Sequence, residues 1–210
     1  MNNDIITPEL MTLVVALKSK HGIVLAGDKR HIIPDRFYTY NDEATKVFKI
    51  NDKVGIAIAG DADDATLVFR QLADLDLINK DVYGVAKEIE RLTQEDVIKW
   101  HTGEYIALQK FDRLIYPNYA FIIAGYSGNG DQKIFTVNSA VPRLREQAIG
   151  FVKEGFTEIA EYILREEHNE NLTIEQLRKL AIRVIQETSK ISLAVSENTN
   201  VIKVKPPVLV

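Results

Sequence analysis

Thr12 stands directly before an almost unbroken apolar run, Leu13-Val14-Val15-Ala16-Leu17, and few architectures can use such a stretch. A short apolar run bounded by turn residues fits a strand covered on both faces. The run ends in Lys18-Ser19-Lys20-His21-Gly22, and a second one, Ile23-Val24-Leu25-Ala26-Gly27, follows. The pair is predicted to form a hairpin whose second strand delivers Asp28 to its end. Further on, Ala44-Thr45-Lys46-Val47-Phe48-Lys49-Ile50 sets Lys46 at the head of another strand. A threonine, an aspartate and a lysine thus each fall at a strand end.

Those three residue types can build a nucleophile. A threonine hydroxyl is unreactive at its free pKa and needs an adjacent base, which the α-amine of the same residue can supply if the residue is first in the chain. An α-amine titrates near about pH 8, and a nearby cation enlarges its unprotonated fraction at neutral pH. Lys46 fits that role, and Asp28 would orient Lys46 and balance its charge, because an unpaired buried ammonium is costly. Gly60, at the end of the predicted strand Val54 to Ala59, is a candidate backbone donor for an oxyanion, with no side chain to obstruct a substrate.

The rest of the chain supplies a scaffold. Asn51-Asp52 reads as a tight hairpin turn between two strands. Asp61, Asp63 and Asp64 invite a metal reading, but Asp61 is better taken as a helix N-cap with the other two in the first turn. That helix would bury Ala65, Val68, Phe69 and Leu72, and a second helix runs from Val82 to about Trp100. Glu104 to Tyr116 is expected to be an extended segment plus a loop. Two strands, Tyr119 to Ala124 and Lys133 to Val137, are joined by Gly125-Tyr126-Ser127-Gly128-Asn129-Gly130. No helix and no P-loop lysine follows that joint, so it reads as a hairpin turn and not a phosphate loop. After Pro142 the pattern turns helical, with Phe156, Ile159, Ala160 and Ile163 on one stripe. Thr173 and Gln176 form a capping box for a last helix. Two short strands, Ile191 to Val195 and Val201 to Val204, are predicted to finish the fold, and the apolar tail Pro206 to Val210 to dock on a neighbour. Strands, two helices, strands, two helices, strands is an α+β order, most simply packed as two face-to-face sheets with helices outside.

Thr12, then Asp28-Lys29-Arg30, Thr45-Lys46-Val47-Phe48-Lys49-Ile50, and Ala57-Ile58-Ala59-Gly60-Asp61-Ala62-Asp63-Asp64-Ala65, together resemble the proteasome β-subunit family of N-terminal nucleophile hydrolases. The motifs lie in the first third of the chain, with an insertion around Ile32 to Tyr40, and the match is to a divergent prokaryotic relative. The resemblance implies a four-layer αββα sandwich of two antiparallel sheets flanked by helices. It also implies a threonine endopeptidase acting on polypeptides inside a self-compartmentalised homo-oligomeric ring, with an unfoldase as a possible partner. It places His31, Ala44, Phe48, Ile58 and Ala62 around the substrate pocket, and with no acid or lysine among them an apolar side chain before the scissile bond is expected. Residues 1–11 would be a leader or an upstream mis-start, removed by autolysis or by translation from Met11 and methionine removal, leaving 12–210 as one domain. The family carries Gly-Ser-Gly before its third helix and an Asp and Ser after its fourth. The corresponding stretches here read Ala148-Ile149-Gly150-Phe151-Val152 and Glu187-Thr188-Ser189-Lys190-Ile191, without the first serine and without an aligned aspartate.

Composition narrows the alternatives. A chain of 210 residues, 46% hydrophobic and 27% charged, suits one globular domain with an ample core. A net charge of -4 and a pI near 5.6, with acids and bases interspersed, offer no nucleic-acid or membrane surface. The absence of cysteine excludes disulfides and thiolate metal sites and agrees with a cytoplasmic setting. No cofactor or metal is expected. Two other functions fit the same residues: a non-catalytic assembly subunit that keeps the Asp–Lys pair for structural reasons, and an amidase or transpeptidase using the same nucleophile on other acyl groups.

Overall fold

A computed structural model describes residues 12–32, 40–60, 62–102, 117–155 and 158–206, residues 32 and 62–64 by their backbone alone. In chain order the elements are β1 (Leu13–Ser19), β2 (Gly22–Asp28), β3 (His31–Ile32), β4 (Tyr40–Asn41), β5 (Val47–Asn51), β6 (Val54–Gly60), α1 (Ala62–Ala73) and α2 (Val82–His101). They continue as β7 (Tyr119–Tyr126), β8 (Gln132–Asn138), β9 (Arg145–Glu146), β10 (Phe151–Gly155), α3 (Glu158–Glu167), α4 (Ile174–Ser189) and β11 (Thr199–Val204).

The expected hairpin forms, with β1 antiparallel to β2 from Val14 opposite Gly27 to Ser19 opposite Gly22. The four-stranded sheet runs β10-β1-β2-β11 and the five-stranded sheet β5-β6-β7-β8-β9, all neighbours antiparallel. Both faces of β1 and β2 are covered, which is why their sequences are continuous apolar runs. One face, with Leu13, Val15, Leu17 and Val24, packs on Leu164 of α3 and on Leu177 and Val184 of α4. The other, with Val14, Ala16, Ile23 and Leu25, meets Ala57, Ala59, Ile122 and Ala124 of the second sheet. The far side of that sheet packs Ile56, Phe121 and Ile123 against Val68, Leu72, Val85 and Ile89 of α1 and α2. The result is the α+β, four-layer αββα sandwich. Each of the fully buried valine, leucine, isoleucine and phenylalanine side chains among these contributes on the order of 1.5–3 kcal/mol.

Helix ends follow the sequence signals. Asp81 caps α2 by accepting from the Gly84 N–H, and Thr173 with Gln176 closes the capping box of α4. Ala65, Val68 and Leu72 of α1 are buried as predicted and Phe69 is only half-buried, while Asp61, the segment 104–116, Phe156 and the tail from Pro207 lie outside the described residues.

Two regions depart from expectation. Ile191 to Val195 is a turn and not a strand: Ile191 and Ser192 donate their N–H groups to the Thr188 carbonyl, and Ser192 Oγ accepts from Ala194 N, which turns the backbone inward on itself. And the stretch after Pro142 is not simply helical, since it contains β9 and the edge strand β10, paired with β1 from Leu13 opposite Gly155 to Leu17 opposite Phe151.

Candidate active site

Asp28 is the hub at the open end of the hairpin. Its side chain is fully buried and accepts from five described donors. Oδ1 takes the Thr12 hydroxyl, the Leu13 N–H and the Lys46 ammonium, each at 2.8 Å. Oδ2 takes the Arg30 N–H at 2.8 Å and the Ser196 N–H at 3.3 Å. A buried carboxylate is tolerable when its lone pairs are met in this way.

Lys46 reaches the same place from the head of β5, and its ammonium donates both to Asp28 and to the Thr12 oxygen. Burial pushes the Lys46 ammonium below the ordinary lysine value, with the Asp28 carboxylate opposing that shift. The close approach depends on Gly27: a Cβ there would stand 3.0 Å from Lys46 Cβ and 3.1 Å from a Val14 methyl. Thr12 is thus held by the head of β1, Asp28 by the end of β2, and Lys46 by the head of β5, so three strands of two sheets fix three side chains.

Behind this cluster lies a second ion pair. Arg30 Nε and Nη2 donate to the two oxygens of Asp42 at 2.8 and 2.9 Å, and Nη1 donates to the Leu193 carbonyl at 2.6 Å. The guanidinium also stacks over Tyr40, 4.0 Å from the ring centre. Arg30 holds the Asp42 carboxyl below the usual range, and the pairing raises Arg30 in return.

On the other side of Thr12, Gly155 has φ +100 and packs so closely that a Cβ would fall 1.9 Å from the Thr12 carbonyl oxygen. The stretch apposed to Thr12 before α3 is therefore the end of β10 and not Ala148 to Val152. Likewise the stretch after α4 that reaches the cluster is Leu193 to Ser196 and not Glu187 to Ile191. Glu154, beside Gly155 and opposite Val14, has its carboxyl pushed up by burial.

The remaining sequence candidates are more dispersed. Gly60 ends β6 with φ +99, a conformation that favours glycine, and pairs with Tyr119. Phe48 stacks against Phe69 of α1 at 4.5 Å, and Ile58 joins the same helix-facing cluster while its N–H donates to the Lys46 carbonyl at 2.9 Å. Val47, between Lys46 and Phe48, points instead into the gap between the sheets. Ala44 donates its N–H to the Lys29 carbonyl, and His31 lies on β3 opposite Asn41. Ala62 opens α1, its side chain outside those described. Asp42, Ser196 and Gly155 were not singled out by sequence, and Arg30 entered only as part of the motif Asp28-Lys29-Arg30 with no role assigned; the left-handed φ of Gly155 is visible only in the backbone.

Chemically, a hydroxyl shared between a carboxylate and an ammonium in a water-poor site is prepared to lose its proton, since the ammonium stabilises the developing alkoxide. Among the described residues no group of three His, Cys, Asp or Glu is placed to hold a metal ion, and no helix is long and apolar enough to cross a membrane.

Comparison with known proteins gives this chain relatives. A family model described as proteasome subunit matches residues 11–204. The proteasome subunit beta of Methanosarcina thermophila is 25% identical over 191 residues, covering 91% of this chain and 85% of that protein. A proteasome subunit alpha of Saccharolobus islandicus is 27% identical over 187 residues, covering 88% and 72%. Among solved structures, the helical assembly of the Anbu complex from Pseudomonas aeruginosa superposes with a TM-score of 0.78 at 17% identity, over 95% of this chain and 83% of that one. Anbu from Yersinia bercovieri gives 0.72 at 15% identity, over 92% and 82%.

Proposed function

We propose a function on one premise: the chain belongs to the proteasome subunit family. On our reading it is a threonine-type peptidase or amidohydrolase that uses Thr12 once the residues before it are removed, working in a cytoplasmic, self-compartmentalised homo-oligomer on polypeptide substrates. The observation that carries this is the Thr12 hydroxyl held between Asp28 and Lys46. Cleavage before Thr12 turns its amide nitrogen into an amine next to the hydroxyl. That amine takes the hydroxyl proton as Oγ attacks the scissile carbonyl, Lys46 stabilises the alkoxide, and Gly60 N–H faces the oxyanion. Collapse expels the amine half of the substrate with the proton and leaves an ester on Thr12, which water hydrolyses by the reverse transfers. Phe48 and Ile58 with α1 form the apolar side of the substrate pocket, and His31, Ala44 and Ala62 border it.

A second reading, a non-catalytic assembly subunit, has one observation in its favour: Asp28 has its five donors with Thr12 still inside the chain. The relatives named alpha and beta are about equally similar, so the choice rests on processing. The test is intact mass and N-terminal sequencing of protein expressed from the native gene, followed by trapping with a peptidyl electrophile. A chain beginning at Thr12 that gains one adduct, with no adduct in a folded Thr12→Ala variant, is the expected result. An assembled protein that keeps its leader and gains no adduct would show the subunit to be structural.

A further inference from the structure

We propose that Asp42 is a positioning residue for the Thr12–Asp28–Lys46 cluster, fixing the outer oxygen of Asp28 through Arg30 and balancing the charge that Arg30 brings to the cluster. The inference rests on the functional reading above, but its central measurement does not.

The link is Arg30. Its guanidinium is used on three sides: two parallel bonds to Asp42, one to the Leu193 carbonyl, and a face on Tyr40. A planar fork engaged in this way has little freedom left. The main-chain N–H of the same residue donates to Asp28 Oδ2, so fixing the side chain fixes that donor. The Ser196 N–H is the other donor to Asp28 Oδ2, and the nearby Ser196 hydroxyl adds to the lowering of the Asp42 carboxyl. Of the two described donors to the outer oxygen of Asp28, the Arg30 N–H belongs to the residue that Asp42 grips, while the inner oxygen faces Thr12 and Lys46.

Charge points the same way. The charged groups facing Lys46 are Asp28 from the end of β2, Asp42 just after β4, and Arg30 just after β2, the last opposing the lysine's positive charge. With Asp42 in place, two cations meet two anions. Without it, a partly buried guanidinium adds to the field on a buried ammonium, and Lys46 gives up its proton more readily. Because the alkoxide needs the charged lysine, the high-pH limb of Thr12 reactivity must move down with it.

The test is an NMR titration of Lys46 in lysine-labelled protein, read beside the pH profile of electrophile trapping at Thr12. In Asp42→Asn, Lys46 should titrate at lower pH than in the parent, and trapping at neutral pH should slow about tenfold, the scale on which neighbours in one network act. Arg30→Gln removes the opposing cation and should move the Lys46 titration upward. That opposite sign keeps the proposal open to refutation if Asp42→Asn does not fold. An unchanged Lys46 titration in either folded variant overturns it and leaves Asp42 a loop anchor. If the parent is never trapped while Lys46 moves as stated, the peptidase reading fails and the positioning role stands.

Discussion

The two ends of the β1–β2 hairpin carry ion pairs of nearly the same length with opposite physical meaning. At the turn, Lys20 meets Glu170 at 3.1 Å with the two side chains 61% and 72% exposed. At the open end, Lys46 meets Asp28 at 2.8 Å with the side chains 13% and 0% exposed. The first pair is bathed in water that serves each charge almost as well as its partner does. The second has surrendered that water, so each group depends on its neighbours for solvation and loses heavily if one is removed. Distance does not rank these contacts; solvent does, and the candidate site sits where solvent has been replaced by fixed donors.

Truncating the buried end is the strongest challenge to that contrast. Asp28→Ala orphans a buried ammonium and four other donors, and is expected to lower stability by about 3–5 kcal/mol in denaturant unfolding. A loss below about 1 kcal/mol would mean that water enters this end as freely as the other. Gly155→Ala probes the packing beside Thr12 without touching a charge. The added methyl collides with the Thr12 carbonyl and must adopt φ +100, so β10 has to draw back, at a cost of about 1–3 kcal/mol. Thr12 trapping should fall with it, and full reactivity in that variant would separate β10 from the site. Lys20→Ala completes the series: a change within about 0.5 kcal/mol in thermal unfolding is expected, and anything near the Asp28 effect would erase the distinction between the ends.

Legibility from sequence divides along similar lines. The hairpin, Asp28 and Lys46 could be read because burial on both faces forces long apolar runs, and polar residues at their ends stand out. β10 could not: Phe151-Val152-Lys153-Glu154-Gly155 is a short edge strand that sends Phe151 toward α3 and α4, Val152 into the inter-sheet core, and Lys153 to Glu161 of α3. Its charges mask the alternation that would announce a strand. The turn after α4 looked like a strand because Ile191 and Leu193 are apolar, yet they are 56% and 90% exposed. Its contribution to Asp28 is made by the main-chain N–H of Ser196, which any residue could offer. The Arg30–Asp42 pair joins residues on either side of the segment 33–39, and nothing local in the sequence says which acid a given arginine will meet.

Ser196 lies 168 residues from the aspartate it serves. Thr12, Asp28 and Lys46 all leave the ribosome early, but the strand that flanks Thr12 and the turn that closes over Asp28 belong to residues 151–155 and 193–196. At about 5–20 residues per second, synthesis runs for many seconds between the first parts of this cluster and the last. A nascent chain interrupted before residue 193 therefore carries Thr12, Asp28 and Lys46 without the surroundings that order them, so the order of synthesis leaves this cluster unfinished until those late residues have been made.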